Sequence, residues 1–469
     1  RFGDTIDRSK LMGRKDKKVS SEDSDDSEAG PPLPPPNDGD DKDDEEAGPM
    51  PPKPNKKRKV LEFQSLYLDN LPCATMYEKS FMHVGEVNHV RVTKTDFFIT
   101  ASLDGQLKFW KKKPKEVEFV KRFYAHVGPV TDLAVSGDGL WLCTVGSKDK
   151  SLNIFDVVNF DMINMIKLAE TPSCCDWVHA QGTNRLIVAV GSSDAPAIRL
   201  YDGRAASKGP AAPLREVTIH RSPVTNLRYH PQLHAVWSHS SDGLLELWDP
   251  ETGGLPAGAG FRYKSDTDLY ELARHKTTAR SLDISPDGDL LACVCADKQV
   301  RVWKCHTGKL YKKIDEGPAA SAAAQTGDGP LKLDSLDFGR RTAVEKDLDA
   351  VKPGAEPDRA RPNAVFDQSG RLLIYAVMAG IKVVNLVENR VVRIIGKPES
   401  NERFLGLALY QGNPVKGVVA AAEAEADPIL LATSYTKNRF FIFSRREPDQ
   451  SDADGTGRDV FNERPPKDL

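Results

Sequence analysis

Four histidines stand at nearly constant distance ahead of four aspartates: His83 before Asp104, His126 before Asp149, His220 before Asp242 and His275 before Asp297. A histidine beside a carboxylate is the pairing a general base or hydrolytic triad needs, because the carboxylate orients the imidazole and stabilises its charged form. Each pair is followed by an aromatic residue in an apolar run, Trp110, Phe155, Trp248 and Trp303 respectively. An active site is built once, whereas this pattern recurs. The residues therefore read as a scaffold device in which a buried indole N–H and a turn-forming Asp each find a partner away from water. No catalytic residue is assigned among them.

The seven cysteines are Cys73, Cys143, Cys174, Cys175, Cys293, Cys295 and Cys305. They contain no C-x-x-C pair and are odd in number, which argues against a zinc site or a disulfide framework and fits a reducing compartment. Cys293 and Cys295 sit in an apolar run and read as packing residues. No metal, cofactor or small-molecule substrate is expected.

The elements that must position these residues are short alternating apolar runs separated by Gly, Asp and Pro. They recur as DGQLKFW ending at Trp110, DKSLNIF at Phe155, DAPAIRLY at Tyr201, DGLLELW at Trp248 and DKQVRVW at Trp303, with a period of roughly 45 to 55 residues. Two weaker repeats, around Ile381 and ending at Phe443, keep the alternation but lose the Asp and the His. Each unit reads as four short strands, too small a sheet to bury both faces alone, so the units must stack, and a closed ring removes the exposed ends. An all-β propeller of about seven blades is predicted.

The His, Asp and Trp spacing resembles the WD40 family over the body of the chain, from about Arg58 to Phe443. That resemblance implies a relay of His, a second-strand Ser or Thr, the turn Asp and the third-strand Trp. His220, Ser238 or Ser240, Asp242 and Trp248 match it, as do His83, Thr100 or Ser102, Asp104 and Trp110. The segments RKVLEF, LYLDNLP, FDVVNFDMINM, YKSDTDLYELA and RDVFNERP go further and resemble the nuclear cyclophilins that carry WD repeats. This second resemblance implies a cyclophilin domain after the propeller and association with late spliceosomes. No cyclophilin segment occurs before Leu469, so residues 446–469 are expected to be a linker toward a domain not present here. Prolyl isomerisation must lower a barrier of roughly 18 to 20 kcal/mol, which calls for an apolar proline pocket with a donor aimed at the amide. A propeller relay supplies neither, so the chain as it stands is expected to be inactive and the longer protein to be a peptidylprolyl isomerase.

Of the 469 residues 39% are hydrophobic and 28% charged, with a formal net charge of −3, which suggests a folded body diluted by polar tails and gives no general reason to expect nucleic acid or a membrane as main partner. Residues 1–57 are acidic and Pro-rich and are expected to be disordered, with Lys56, Lys57, Arg58 and Lys59 at the end resembling a nuclear-import signal. No apolar run approaches a membrane span and no secretory signal opens the chain, which predicts a soluble protein kept inside the cell; the basic cluster and the resemblance to nuclear cyclophilins imply the nucleus. The propeller is assigned to residues 58–445.

Within it, residues 307–361 form an insertion predicted to carry one helix over 334–351. Leu336, Val344, Leu348 and Val351 approximate one helical face, and Arg340 and Arg341 are the residues that could dock a splicing factor or RNA phosphate. The bland reading, a helix packed on the propeller rim, is preferred. Around the channel mouth, Asn88, Thr131, Asn226 and Arg280 are expected to line the binding face. Tyr201, Asp202, Gly203 and Arg204 resemble the WDxR box by which some propellers dock on a cullin-4 ubiquitin ligase adaptor, with Tyr in place of Trp. The leading expectation is thus a nuclear scaffold, monomeric within a larger complex, that binds spliceosomal proteins with at most weak or indirect RNA contact. The alternative is a substrate receptor of a cullin-4 type ligase through Arg204.

Overall fold

A computed structural model describes residues 60–113, 116–178, 185–205, 209–327, 329–350, 359–412, 427–448 and 458–460. The expected disordered tail and the basic cluster Lys56 to Lys59 lie outside them.

Seven sheets, antiparallel throughout except for one parallel pair in the seventh, give the arrangement of a seven-bladed β-propeller. Blade 1 runs through strands a to d at Val87–Val92, Phe97–Ser102, Gln106–Lys112 and Val117–Tyr124. Blade 2 repeats this at Val130–Val135, Trp141–Gly146, Ser151–Asp156 and Asp161–Lys167. Blades 3, 5 and 6 have the same order, while blade 4 stops at three strands, Val224–His230, Ala235–Ser240 and Leu245–Trp248. The expectation of four strands per unit therefore fails there among the described residues. Where a fourth strand would begin, the chain instead leaves through turns from Asp249 to Gly254 and enters the short helix α2, Glu271–Arg274. A helix α1, Gln64–Asp69, precedes the ring.

Blade 7 is assembled from both ends of the chain. Its strands a to c, Phe404–Tyr410, Ile429–Ser434 and Arg439–Phe443, are joined by Lys79–Met82, which pairs antiparallel with the third strand. Asp459–Val460 then adds a fifth strand, parallel to Lys79–Met82. This corrects the linker reading of 446–469, for part of that stretch belongs to the propeller. The RDVFNERP string carried no apolar alternation long enough to announce a strand.

The core is a set of apolar layers between neighbouring blades. Trp110 packs edge-on against Phe440 at 5.2 Å between ring centroids, joining blade 1 to blade 7. Trp237, Trp248 and Trp303 are equally buried in later layers. Because the strands alternate in direction, the turns between strands b and c and the connections between blades share one face, called here the upper face.

The insertion joins blade 5 to blade 6 and so rises from this upper face. It begins later than expected, because Lys309–Asp315 is the fourth strand of blade 5, and it holds two helices, α3 (Pro318–Thr326) and α4 (Ser335–Ala350), where one was predicted. Alanine-rich α3 showed no amphipathic period to read. Among the described residues no helix is long and apolar enough to cross a membrane, and no cluster of His, Cys, Asp and Glu could hold a metal. Cys293 and Cys295 are buried free thiols on one strand face, with sulfurs 3.6 Å apart.

Candidate functional site

The histidine relays can be followed atom by atom. In blade 1 the Trp110 indole donates to Thr100 Oγ1 at 2.8 Å, and His83 Nε2 lies 2.7 Å from the same hydroxyl. In blade 4 Trp248 donates to Ser238 at 3.1 Å, with His220 Nε2 at 2.7 Å. In each blade one hydroxyl thus joins the histidine to the indole. Asp104 and Asp242 meanwhile accept from Ser102 and Ser240, and Nδ1 of His83 and His220 reaches no partner. Only His126 meets its aspartate, Asp149, at 2.9 Å, while its Nε2 sits 2.9 Å from Thr144. There Phe155 fills the Trp position, buried and without a polar atom to satisfy. The relay is thus shared out, and no blade among these three carries all four links.

Blade 5 departs furthest. His275 ends helix α2 and pairs at 2.8 Å with Glu271, its side chain 45% exposed. Asp297 is gripped by the buried Arg301 through contacts of 3.1 and 2.7 Å. Trp303 donates instead to the carbonyl of Asp268. The assignment of His275 to the relay is therefore corrected: a local helix carries it outward, and a bidentate Arg replaces it as partner of the turn Asp.

Burial pulls His220 down to about 4 despite the nearby Asp242, and burial together with Lys108 drives His83 well below the ordinary histidine value. Both are neutral at pH 7 and spent on holding strands together. Nothing in this arrangement aims a base at an open cleft.

The central channel is the second constellation, a cavity of about 230 Å³ lined by the first strands of the blades. Its polar side chains mostly reach to the next blade. Asn88 donates to the Val130 carbonyl at 2.7 Å, Asn226 to Arg280 at 3.2 Å and Asn363 to Leu407 at 2.9 Å. Carboxylates do the same, Asp132 accepting from the Cys175 amide and Asp176 from that of Tyr229. Arg228 donates to Leu282 and is flanked by Asp176, Asp132 and Asp283. Burial raises Asp283 to about 6 and lowers His89 to about 4.

Of the four residues expected at the mouth, Asn88 and Thr131 are buried, Thr131 accepting the Ser147 amide. Arg280 lines the cavity, with Asp349 and Glu345 of α4 and the cations Arg361 and Arg403 acting on its guanidinium. Missed from the sequence were His89, Arg91, Asp132, Arg228, Asp283 and Arg361, which also line the channel. Aligning the first strands of successive units would have exposed them, since polar residues there break an otherwise apolar core face.

Helix α4 walls the upper face beside that mouth. Of its expected apolar face Leu336 is 72% exposed, Val344 and Leu348 are half-buried and Val351 lies outside the described residues, whereas Arg341 is 4% exposed and donates to the carbonyls of Met378 and Lys397. Arg341 is therefore a packing residue, contrary to its reading as a docking arginine, and Arg340 is exposed beside it. Glu345 binds Lys298 at 3.0 Å and also Arg403, and these cations hold its carboxyl below the usual range although burial opposes them. Arg204 is exposed, its amide donating to the Asp202 carboxylate at 2.9 Å where strand c of blade 3 ends, on the lower face.

The family model described as WD domain, G-beta repeat matches residues 117–156 and 267–304. The first match runs from the outer strand of blade 1 into the third strand of blade 2, and the second from the segment just before α2 into the third strand of blade 5. The chain is 43% identical to peptidyl-prolyl cis-trans isomerase CYP71 of Arabidopsis thaliana over 88% of its length and 66% of that protein. It is 43% identical to the human peptidylprolyl isomerase domain and WD repeat-containing protein 1, over 88% of this chain and 64% of that one. With peptidyl-prolyl cis-trans isomerase cyp15 of Rhizopus delemar it shares 40% identity over 99% of this chain and 72% of the relative. The chain thus spans just under two thirds of the length of the first two.

Proposed function

Because the chain belongs to the family of WD-repeat peptidyl-prolyl cis-trans isomerases, we propose that it is the docking part of such a protein, binding protein partners in the nucleus during pre-mRNA splicing. In the longer protein a cyclophilin domain carries the isomerisation, and the propeller sets where that activity is delivered. The observation that carries this reading is the division of labour in the ring. His83, His126 and His220 and the channel residues Asn88, Asn226, Asn363, Asp132 and Asp176 are committed to holding strands and blades together, while Arg280 lines the channel mouth on the upper face beside α4. A rigid closed ring with one walled face suits recognition, because little ordering entropy is lost when a partner binds. Lys56 to Lys59 provide the import signal.

The test is quantitative affinity purification of the tagged chain from nuclear extract. Enrichment of splicing proteins, unchanged by Arg204→Ala, is the expected result. Recovery of a cullin-4 adaptor that disappears with Arg204→Ala, in the absence of splicing proteins, would replace this reading. Removing Lys56 to Lys59 should shift the protein from nucleus to cytoplasm.

A further inference from the structure

Strand d is the outer edge of each four-stranded blade, and a row of unpaired backbone groups there is a template for another strand unless charge, brevity or cover blunts it. Among the described residues the ring blunts nearly all its edges. Blade 1 sets Lys121 and Arg122 within strand d, blade 5 Lys312 and Lys313, and blade 6 Arg393. In blade 3 the edge strand Arg215–Val217 is three residues long, in blade 7 Asp459–Val460 is two, and the last strand of blade 4 is wholly buried.

Blade 2 does none of this. Its strand Asp161–Lys167 carries Met162, Ile163, Asn164, Met165 and Ile166 between two terminal charges, and Met162, Ile163 and Met165 are all exposed. The strand is fixed from within, for Ile166 is buried and the Asn164 amide donates to the carbonyls of Gly203 and Ala205 at 2.9 Å. At its Lys167 end the Ala211 amide donates to the Lys167 carbonyl at 2.9 Å, while the outward backbone of Met162 to Ile166 meets no strand among the described residues. We propose that this edge takes an added strand from a partner protein, an extended and uncharged apolar segment paired through its backbone with residues 161–166. This deepens the docking reading, on which it rests, by naming the surface and the partner's chemistry.

The backbone edge selects an extended chain, because its N–H and C=O groups repeat at strand spacing. The side chains select an apolar one. Charges at the two ends already have contacts: Lys121 pairs with Asp161 at 3.4 Å, and the Lys167 ammonium donates to the Asp149 carbonyl at 3.4 Å. No cation stands between them to meet a phosphate, which disfavours RNA. A second copy of this chain fits poorly as well. Two-fold antiparallel pairing of the strand with itself would drive Pro210 and Ala211, seated at the Lys167 end, against Asp161 of the other copy.

The test is selection of a phage-displayed library of random linear peptides on the full chain, followed by fluorescence anisotropy with the selected peptides. These should be rich in β-branched and aromatic residues and free of charge at their centre. Met165→Lys, which gives this exposed position the guard that other blades carry, should weaken them about tenfold or more, with a thermal midpoint close to wild type. N-methylation of alternate peptide residues should do the same, and N-methylation of the residues between them should not. The tagged Met165→Lys chain should lose part of the splicing proteins from nuclear extract. No enrichment, binding indifferent to Met165→Lys, N-methylation without an alternating pattern, or self-association through Met165 in place of peptide binding would each overturn the assignment. If Met165→Lys keeps every splicing protein at wild-type level, this edge fails while the docking reading stands. If the wild type recovers none but the peptides behave as expected, the docking reading fails and the edge stands as a strand-binding site.

Discussion

The hydroxyl of Ser80 donates to the carboxylate of Asp459 at 2.6 Å, joining residues 379 positions apart. Asp459 also binds Arg439 at 2.6 Å, and Arg458 lies 3.7 Å above the Tyr77 ring. The N-terminal strand that closes blade 7 is thus itself held by a strand from far along the chain. Asp459→Ala is expected to lower stability by about 1 to 3 kcal/mol, because Arg439 and Ser80 lose their acceptor. Chemical denaturation of both proteins checks this, and coincident midpoints would mean the clasp contributes nothing to closure.

The same clasp has a pH signature. Hydrogen bonds from Ser80 and Arg439 overcome the burial that would raise the Asp459 carboxyl and hold it below its ordinary value. A depressed folded pKa gives stability that is present above the unfolded value and lost as pH falls through the folded one. The gap between wild type and Asp459→Ala should therefore stay constant from pH 7 to about 5 and shrink below about 4.

Buried histidines act at a higher pH. Burial lowers His89 and His220 to about 4, and His239 to about 3. Between the unfolded value near 6.5 and those figures the unfolded chain binds protons that the folded chain refuses, so stability rises with pH. Each such group contributes up to about 1.4 kcal/mol per pH unit in that window. Urea unfolding at pH 5, 6 and 7 should show a marked loss on acidification, smaller in His220→Asn, and a flat profile would contradict neutral burial.

His126 and His275 looked alike in the sequence and should behave differently. His126→Ala removes the partner of Asp149 and Thr144 in a buried site and is expected to cost about 2 to 3 kcal/mol. His275→Ala loses only an exposed pair with Glu271 and should stay within about 0.5 kcal/mol. Equal losses would restore His275 to the relay.

Adjacent arginines on α4 give a parallel contrast. Arg341→Ala leaves the carbonyls of Met378 and Lys397 without their donor and should lower stability by about 1 to 3 kcal/mol, while Arg340→Ala should be close to neutral. Thermal unfolding of the two variants decides it.

The ring was readable in the chain because each blade repeats one period, and Trp110 and Trp248 stand where a third strand must bury them. Relay geometry was less readable, since spacing places His275 beside Asp297 but cannot show that Glu271 to Arg274 coil into a helix and turn it outward. Helix α4 misled for a related reason. Leu336 and Val344 suggested an apolar seam, yet backbone carbonyls and Arg403 on the propeller select Arg341 and Glu345 for burial. Asp459 and Val460 were invisible as a strand, because two residues carry no period and their pairing depends on a partner far away in sequence.

The most direct test of docking through the upper face is cross-linking mass spectrometry on splicing complexes assembled in nuclear extract with the tagged chain. Lys346 on α4 and Lys437 in the upper turn of blade 7 should form cross-links to splicing proteins, while Lys94 and Lys113 on the lower face should form few. Absence of the chain from those complexes, or cross-links concentrated at Lys94 and Lys113, would contradict the account.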